Sequence, residues 1–231
     1  MRAFGFSTGS LAEHDFRAAL KMMEGLPLKA LELSALREHE LDPLLQSLHS
    51  LELGGYEHVS LHAPSALVSL SEAALCTKLK ELGGHYPIVV HPDIIIDWSL
   101  WSSLGATVLI ENMDKRKCIG RTADELDLVF ERLPEARLCL DVGHSRQIDS
   151  SMHETRQILK RHGARLAEIH LSDVNSACGH ECLNWPAVEA FQRLRDLVPD
   201  DVPVILETPA GPGELEVQLE FAKQIFELVC A

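Results

Sequence analysis

Eight short apolar runs alternate with helical patterns along the whole chain. The runs occupy residues 3–7, 30–34, 58–61, 88–91, 107–111, 137–141, 167–171 and 203–207. Each is compact and apolar, as expected of a strand buried on both faces of a parallel sheet. The helical patterns between them are punctuated. Thr122 with Glu125, and Ser151 with Glu154, have the spacing of a capping box, and Asp42-Pro43 offers an N-cap followed by a first-turn proline. Leu126, Val129, Phe130 and Leu133 fall on one helical face, while Gly54-Gly55, Gly83-Gly84 and Gly163 supply helix stops. Eight such repeats predict an α/β fold, a single (β/α)8 TIM barrel over residues 1–231. Its loops must be short, because 231 residues is below the roughly 250 usual for this fold. The competing open sheet lacks a Gly-rich nucleotide loop: Ser7-Thr8-Gly9-Ser10 follows the first strand.

In a barrel the chemistry sits where the strands end. Twelve histidines are present, and four of them fall near such ends. His62 follows the third strand and His91 ends the fourth. Glu111 ends the fifth, Asp141 and His144 follow the sixth, His170 lies at the end of the seventh, and Glu207 ends the eighth. Asp141 or Glu111 alone would read equally well as a helix cap. Six successive strand ends would not, because apolar strands ordinarily finish in assorted turn residues. Converging carboxylates repel in a dry barrel mouth, and no Lys or Arg stands among these positions. A divalent metal supplies the missing charge, and mixed Asp, Glu and His ligation suits Zn or Mn better than Mg.

The ordered set His62, His91, Glu111, Asp141-Val-Gly-His144, His170 and Glu207 resembles the xylose isomerase-like barrel superfamily over nearly the whole chain. That superfamily includes endonuclease IV and many sugar isomerases and epimerases. The resemblance implies that Glu111, Asp141, His170 and Glu207 hold one metal. In the isomerase branch it implies that Glu111 and Glu207 also move a proton beside a metal-polarised carbonyl, with His144 touching substrate. The arginine of several epimerases is missing, since none lies between His170 and Arg193. In the endonuclease IV branch, His62 and His91 form a second site bridged by Glu111. His144 then joins a third site with an Asp-x-His pair. Cys178-Gly179-His180 is the nearest candidate for that pair, which makes His180 the ligand and leaves Cys178 and Cys182 as loop thiols. One to three Zn or Mn ions are expected.

The net charge of −14 argues for a small substrate over nucleic acid, and the resemblance implies that this substrate is a carbohydrate. Arg37 and Lys115-Arg116-Lys117 are the basic elements near the strand-end face. Lys115 is a candidate contact for a substrate phosphate or carboxylate, and Trp185 for the substrate body. The first expectation is a metal-dependent sugar or sugar-like isomerase or epimerase. The alternatives are a multi-zinc phosphodiesterase acting on DNA or a small phosphoester, and a metal-dependent binding protein without turnover. Six scattered cysteines make no disulfide framework, the N-terminus does not read as a signal peptide, and no apolar run reaches the ~18 residues of a membrane span. The expected setting is cytoplasmic. Met22-Met23 and Leu26 read as packing, and Trp98 with Trp101 as one helical contact. The stretch 215–229 reads as the closing helix, with a homo-oligomer contact left open.

Overall fold

Every expected strand forms, within one residue of its expected ends, in the computed structural model of the chain, which describes residues 2–227. They are β1 (Phe4–Ser7), β2 (Ala30–Ser34), β3 (His58–His62), β4 (Ile88–Val90), β5 (Val108–Glu111), β6 (Arg137–Asp141) and β7 (Leu166–Leu171). A short hairpin follows, β8 (Asp173–Val174) with β9 (His180–Glu181), and then the last barrel strand, β10 (Val204–Leu206). Each barrel strand pairs in parallel with its predecessor, and β10 closes on β1. Around them lie α1 (Phe16–Met22), α2 (Glu38–Ser47), α3 (Glu72–Lys80), α4 (Trp98–Ser102), α5 (Ala123–Arg132), α6 (Val142–Ile148), α7 (His153–His162), α8 (Trp185–Gln192) and α9 (Leu215–Phe226). The final positions of the expected closing helix, and Cys230, lie outside the described residues.

The period of two along each strand separates two interiors. Phe4, Phe6, Leu31 and Leu33 join one large apolar cluster with helix residues such as Leu44, Leu126, Val129 and Phe130. Glu32, Ser34, His58, Ser60, His62, Glu168 and His170 share the opposite parity and are directed into the barrel, where several of them bond to one another. A register shift between β6 and β7 at Leu138/Cys139 lets Glu168 pair with Cys139 and His170 with Asp141. Gly5 is required by packing, because a Cβ there would lie 1.7 Å from the Ala30 carbonyl oxygen.

Local signals fared unevenly. Thr122 caps α5 as expected, its hydroxyl accepting from the Glu125 amide at 3.2 Å. The Ser151/Glu154 box does not form. Met152 takes the N-cap of α7 in a left-handed conformation, while Glu154 accepts from the Ala123 amide and ties α7 to α5. Asp42-Pro43 does not open a helix either. α2 starts at Glu38, where Glu40 accepts from the Arg37 amide, and Pro43 lies inside the helix. Gly83 and Gly84 follow α3 at positive φ, whereas Gly163 keeps a right-handed conformation and Gly54-Gly55 lie beyond the end of α2. Trp101 is buried and donates to Glu72, while Trp98 stacks under Arg132. No helix among the described residues is long and apolar enough to cross a membrane.

Glu38 anchors the loop after β3 by accepting from the Ser69 hydroxyl and from the amides of Val68, Ser69 and Leu70. The Ser69 hydroxyl and then these amides hold its carboxyl at about 2, below the ordinary 4.5. A depressed folded pKa adds stability that is complete above the unfolded value and lost as pH falls through the folded one. The stability gap between the chain and Glu38→Gln, measured by urea unfolding, is therefore expected to close between about pH 5 and pH 2. A pH-independent gap would remove the carboxylate from this role.

Candidate metal centre

The centre is assembled on one buried carboxylate. Glu111 ends β5, and its Oε2 lies 3.1 Å from His62 Nε2 and 3.0 Å from His91 Nε2. Its Oε1 lies 3.3 Å from His144 Nδ1 and 3.7 Å from His170 Nδ1. His170 Nδ1 is also 3.4 Å from Glu207 Oε2, which is 3.6 Å from His180 Nδ1. Three overlapping groups result at the mouth: His62, His91 and Glu111; Glu111, Asp141, His170 and Glu207; and Asp141, His144 and His180; a fourth, Cys139, Glu168 and His170, lies beneath them. Within each, one ligand-capable atom per residue lies within 4.8 Å of all the others. The eight candidate ligands named from the sequence are thus brought together.

Asp141 combines the two readings that compete for such a residue. Its Oδ1 caps α6 by accepting from the His144 amide at 2.7 Å, while Oδ2 is buried without a hydrogen-bond partner. Asn112, which sequence reasoning passed over, fixes its backbone. The side-chain amide donates to the Asp141 carbonyl and accepts from the Asp141 amide, both at 2.8 Å. Gly143 is needed at the same place, since a Cβ there would come within 2.6 Å of the Ser172 carbonyl oxygen. His180 is delivered by the β8–β9 hairpin and bonds through Nδ1 to the Ser172 hydroxyl at 3.0 Å. Cys178, at positive φ, directs its thiol to Gln147 Oε1, and Cys182 packs against the core.

A second polar layer lies beneath. His170 Nε2 is 3.0 Å from Glu168 Oε1 and 3.0 Å from Glu32 Oε2. Glu168 also holds His58 at 2.5 Å, and Glu32 accepts from the Ser34 hydroxyl, which bonds to Ser7. The signal for this layer was present in the sequence. Glu32 and Glu168 are charges inside runs otherwise apolar, and buried charges require partners.

Opposed charges set the protonation of the centre. Burial works against the charge on Glu111, yet His91, His144, His170 and His62 hold its carboxyl well below the usual range. Against the same burial, His170 and His180 bring Glu207 to about 2. Asp141 moves the other way, raised by burial and by Glu111 and Glu207 despite His144 and His180. Burial opposes protonation of His62 and His144, but Glu32 and Glu111 lift the first to about 9, and Asp141 and Glu111 lift the second to about 10. For His91 burial prevails over Glu111, and its pKa is lowered.

These atoms fit a divalent cation. Asp141 Oδ2 and the Nδ1 atoms of His170 and His91 are buried and unpaired. Metal binding would displace one proton from each of His62 and His144, whose Nδ1–H would then donate to the carbonyls of Ala63 (2.7 Å) and Asn112 (3.0 Å) and leave the Nε2 lone pair available. Carboxylates with neutral imidazoles are a donor set for Zn²⁺ or Mn²⁺. The mouth above is a cavity of about 570 Å³ bordered by Arg116 and Lys117.

Two expected contacts are displaced. Trp185 opens α8 and is 59% exposed, its ring set edge-on to Phe221 and outside the cavities at the mouth. α8 buries Ala187, Val188 and Phe191, and so its first residue is carried outward. Lys115 donates to the Ser176 carbonyl at 2.8 Å and does not border the mouth. Arg116 and Lys117 take that place, paired with Asp114 (2.5 Å) and Asp93 (2.6 Å).

The closed eight-stranded barrel gives the chain the fold seen in xylose isomerase-like TIM barrel structures. Among solved structures, it resembles the IolI protein with a bound zinc atom (TM-score 0.64, 14% identity, 98% of this chain and 100% of that one). It also resembles the probable 3-DHS dehydratase AsbF of Bacillus anthracis (TM-score 0.62, 12% identity, 99% and 100%). A third likeness is a xylose isomerase-like TIM barrel protein from Mycobacterium smegmatis in complex with magnesium (TM-score 0.53, 12% identity, 90% and 88%). No protein-family model and no curated protein sequence matches the chain.

Proposed function

We propose that the chain is a divalent-metal-dependent hydrolase of a small phosphoester, with two or three ions held at the mouth of the barrel. The observation that carries this reading is the setting of Glu111. One of its oxygens faces His62 and His91, and the other faces His144 and His170. Buried, with each oxygen turned to a pair of imidazoles, Glu111 suits a carboxylate shared between ligand groups better than a proton carrier. Bound ions supply Lewis-acid polarisation of the phosphoryl oxygens. The chain's own groups orient the substrate. Arg116 and Lys117, steadied by Asp114 and Asp93, offer charge to an incoming anion at the rim. With so few cations around the mouth and a net charge of −14, the reading favours a small ester over DNA. Metal analysis of protein purified without chelators tests it, alongside p-nitrophenol release from bis(p-nitrophenyl) phosphate. Two or three ions per chain with release are expected; one ion and no release would overturn it.

A second reading, a sugar isomerase or epimerase with one ion, is favoured by the position of Glu207. This carboxylate borders the mouth and the neighbouring cavity, where it can meet a substrate carbon. Its signature is exchange of the proton beside a ketose carbonyl in D₂O.

The layer under the centre yields a further expectation. Glu168 receives the Nε2–H of His170, with Glu32 Oε2 also 3.0 Å away, and this turns Nδ1 towards Glu111 and Glu207. Glu168→Gln is expected to weaken zinc binding by about 10–100-fold, read by competition with a chromogenic chelator. Unchanged affinity would remove Glu168 from this positioning role.

A further inference from the structure

Next to the mouth lies a second cavity of about 630 Å³, between the turn after β1 and the loop after β10. It is continuous with the mouth, because Leu36, His180 and Glu207 border both. Its remaining walls differ in chemistry. Ala12, Met22, Pro209, Ala210 and Pro212 supply apolar surface. His14, the imidazole on this side, is engaged through Nδ1 by the Gly9 carbonyl at 2.5 Å.

The turn that forms one wall is held in an uncommon shape. Ala12, Glu13 and His14 are consecutive non-glycine residues at φ 47°, 53° and 72°. L residues rarely enter this region, and they stay there only when their surroundings enforce it. Here the buried Leu11 and Phe16 pin both ends, and the His14 and Asp15 amides bond back to Leu11 and Ala12. Across the cavity, two prolines stiffen the opposite wall, where the Gly211 amide donates to Glu214 at 2.8 Å. Both walls are fixed by the fold.

We infer that this annex receives an apolar organic group of the substrate, an aryl or branched alkyl substituent, while its phosphoryl group lies at the metal centre. The inference rests on the phosphoester reading and names the substrate class for it. A bare sugar fits the annex poorly. Ser10, Glu13 and His14 line part of one side, but against Ala12, Met22, Pro209, Ala210 and Pro212 its hydroxyls would meet no side-chain partner, and unpaired polar groups are costly to bury.

The test compares methylphosphonate with phenylphosphonate, probes that share an anionic head and differ in the apolar group. Their binding to the zinc-loaded chain is measured by calorimetry. Phenylphosphonate is expected to bind at least about tenfold more tightly. Met22→Asp and, separately, Pro212→Asp should abolish that preference without changing methylphosphonate affinity, which also reports that each variant is folded. Equal affinities in the unmodified chain, with methylphosphonate still bound, would overturn the annex and leave the metal centre standing. A preference that survives in both variants would overturn it as well. Failure of both probes to bind would overturn the phosphoester reading, and the annex with it.

Discussion

Glu111→Gln is expected to strip metal from the two ligand groups that contain it and abolish turnover while the barrel remains folded. The carboxylate belongs to two of the three ligand groups at the mouth, and replacing it removes the negative charge that faces four imidazoles. Two sites therefore fail together. Metal affinity should fall by more than the ~10–100-fold typical of an altered outer partner. The fold should survive, because Glu111 contacts the polar centre, whereas the large apolar cluster is built from outward-facing strand residues and helices. Metal analysis and circular dichroism of the purified variant check this. Retention of full metal content would sink the proposed ligand set, and loss of the folded spectrum would show the carboxylate to be structural.

His62→Ala combined with His91→Ala separates the two enzymatic readings. The group of Glu111, Asp141, His170 and Glu207 and the group of Asp141, His144 and His180 keep all their members, so at least one ion per chain should remain. In a multi-metal hydrolase the loss of the neighbouring ion should cost about 10²–10³-fold in kcat, comparable with removal of a major electrostatic stabiliser. A one-metal isomerase should keep its proton exchange at close to the original rate. Unchanged phosphoester hydrolysis in the double variant would exclude a catalytic role for the first ligand group.

Most of the architecture was legible because burial of a parallel strand leaves a local signature, a run of apolar residues on both faces. Strand ends were legible too, for the reason that an imidazole or carboxylate interrupts such a run at its solvent-facing limit. Asp141 shows how far this goes. Its position gave two competing roles, cap and ligand, and the fold uses one oxygen for the cap and leaves the other buried without a hydrogen-bond partner. Helix starts were less legible. Asp42-Pro43 and Ser151/Glu154 match local rules, but tertiary partners claimed the groups: Asp42 pairs with Lys78 and Glu154 with the Ala123 amide.

Trp185 and Lys115 illustrate a different limit. Both follow barrel strands on the correct face, yet the orientation of α8 turns one outward and the Ser176 carbonyl holds the other. The roles of Glu32, Glu168 and Asn112 depend on strand register, which no spacing within a single run reveals. The register shift between β6 and β7 sets His170 beside Asp141.

What this sequence determined by itself is the alternation that makes the barrel and the six strand ends that carry its polar residues. Both arise from local patterns, of burial along a strand and of its interruption. The tertiary structure decided that Glu111 and Asp141 each stand in two candidate ligand groups, that Glu32 lies beneath His170, and that a second cavity adjoins the mouth. Each of these brings together segments distant along the chain, and happens only when the strands close and their registers set which side chains meet.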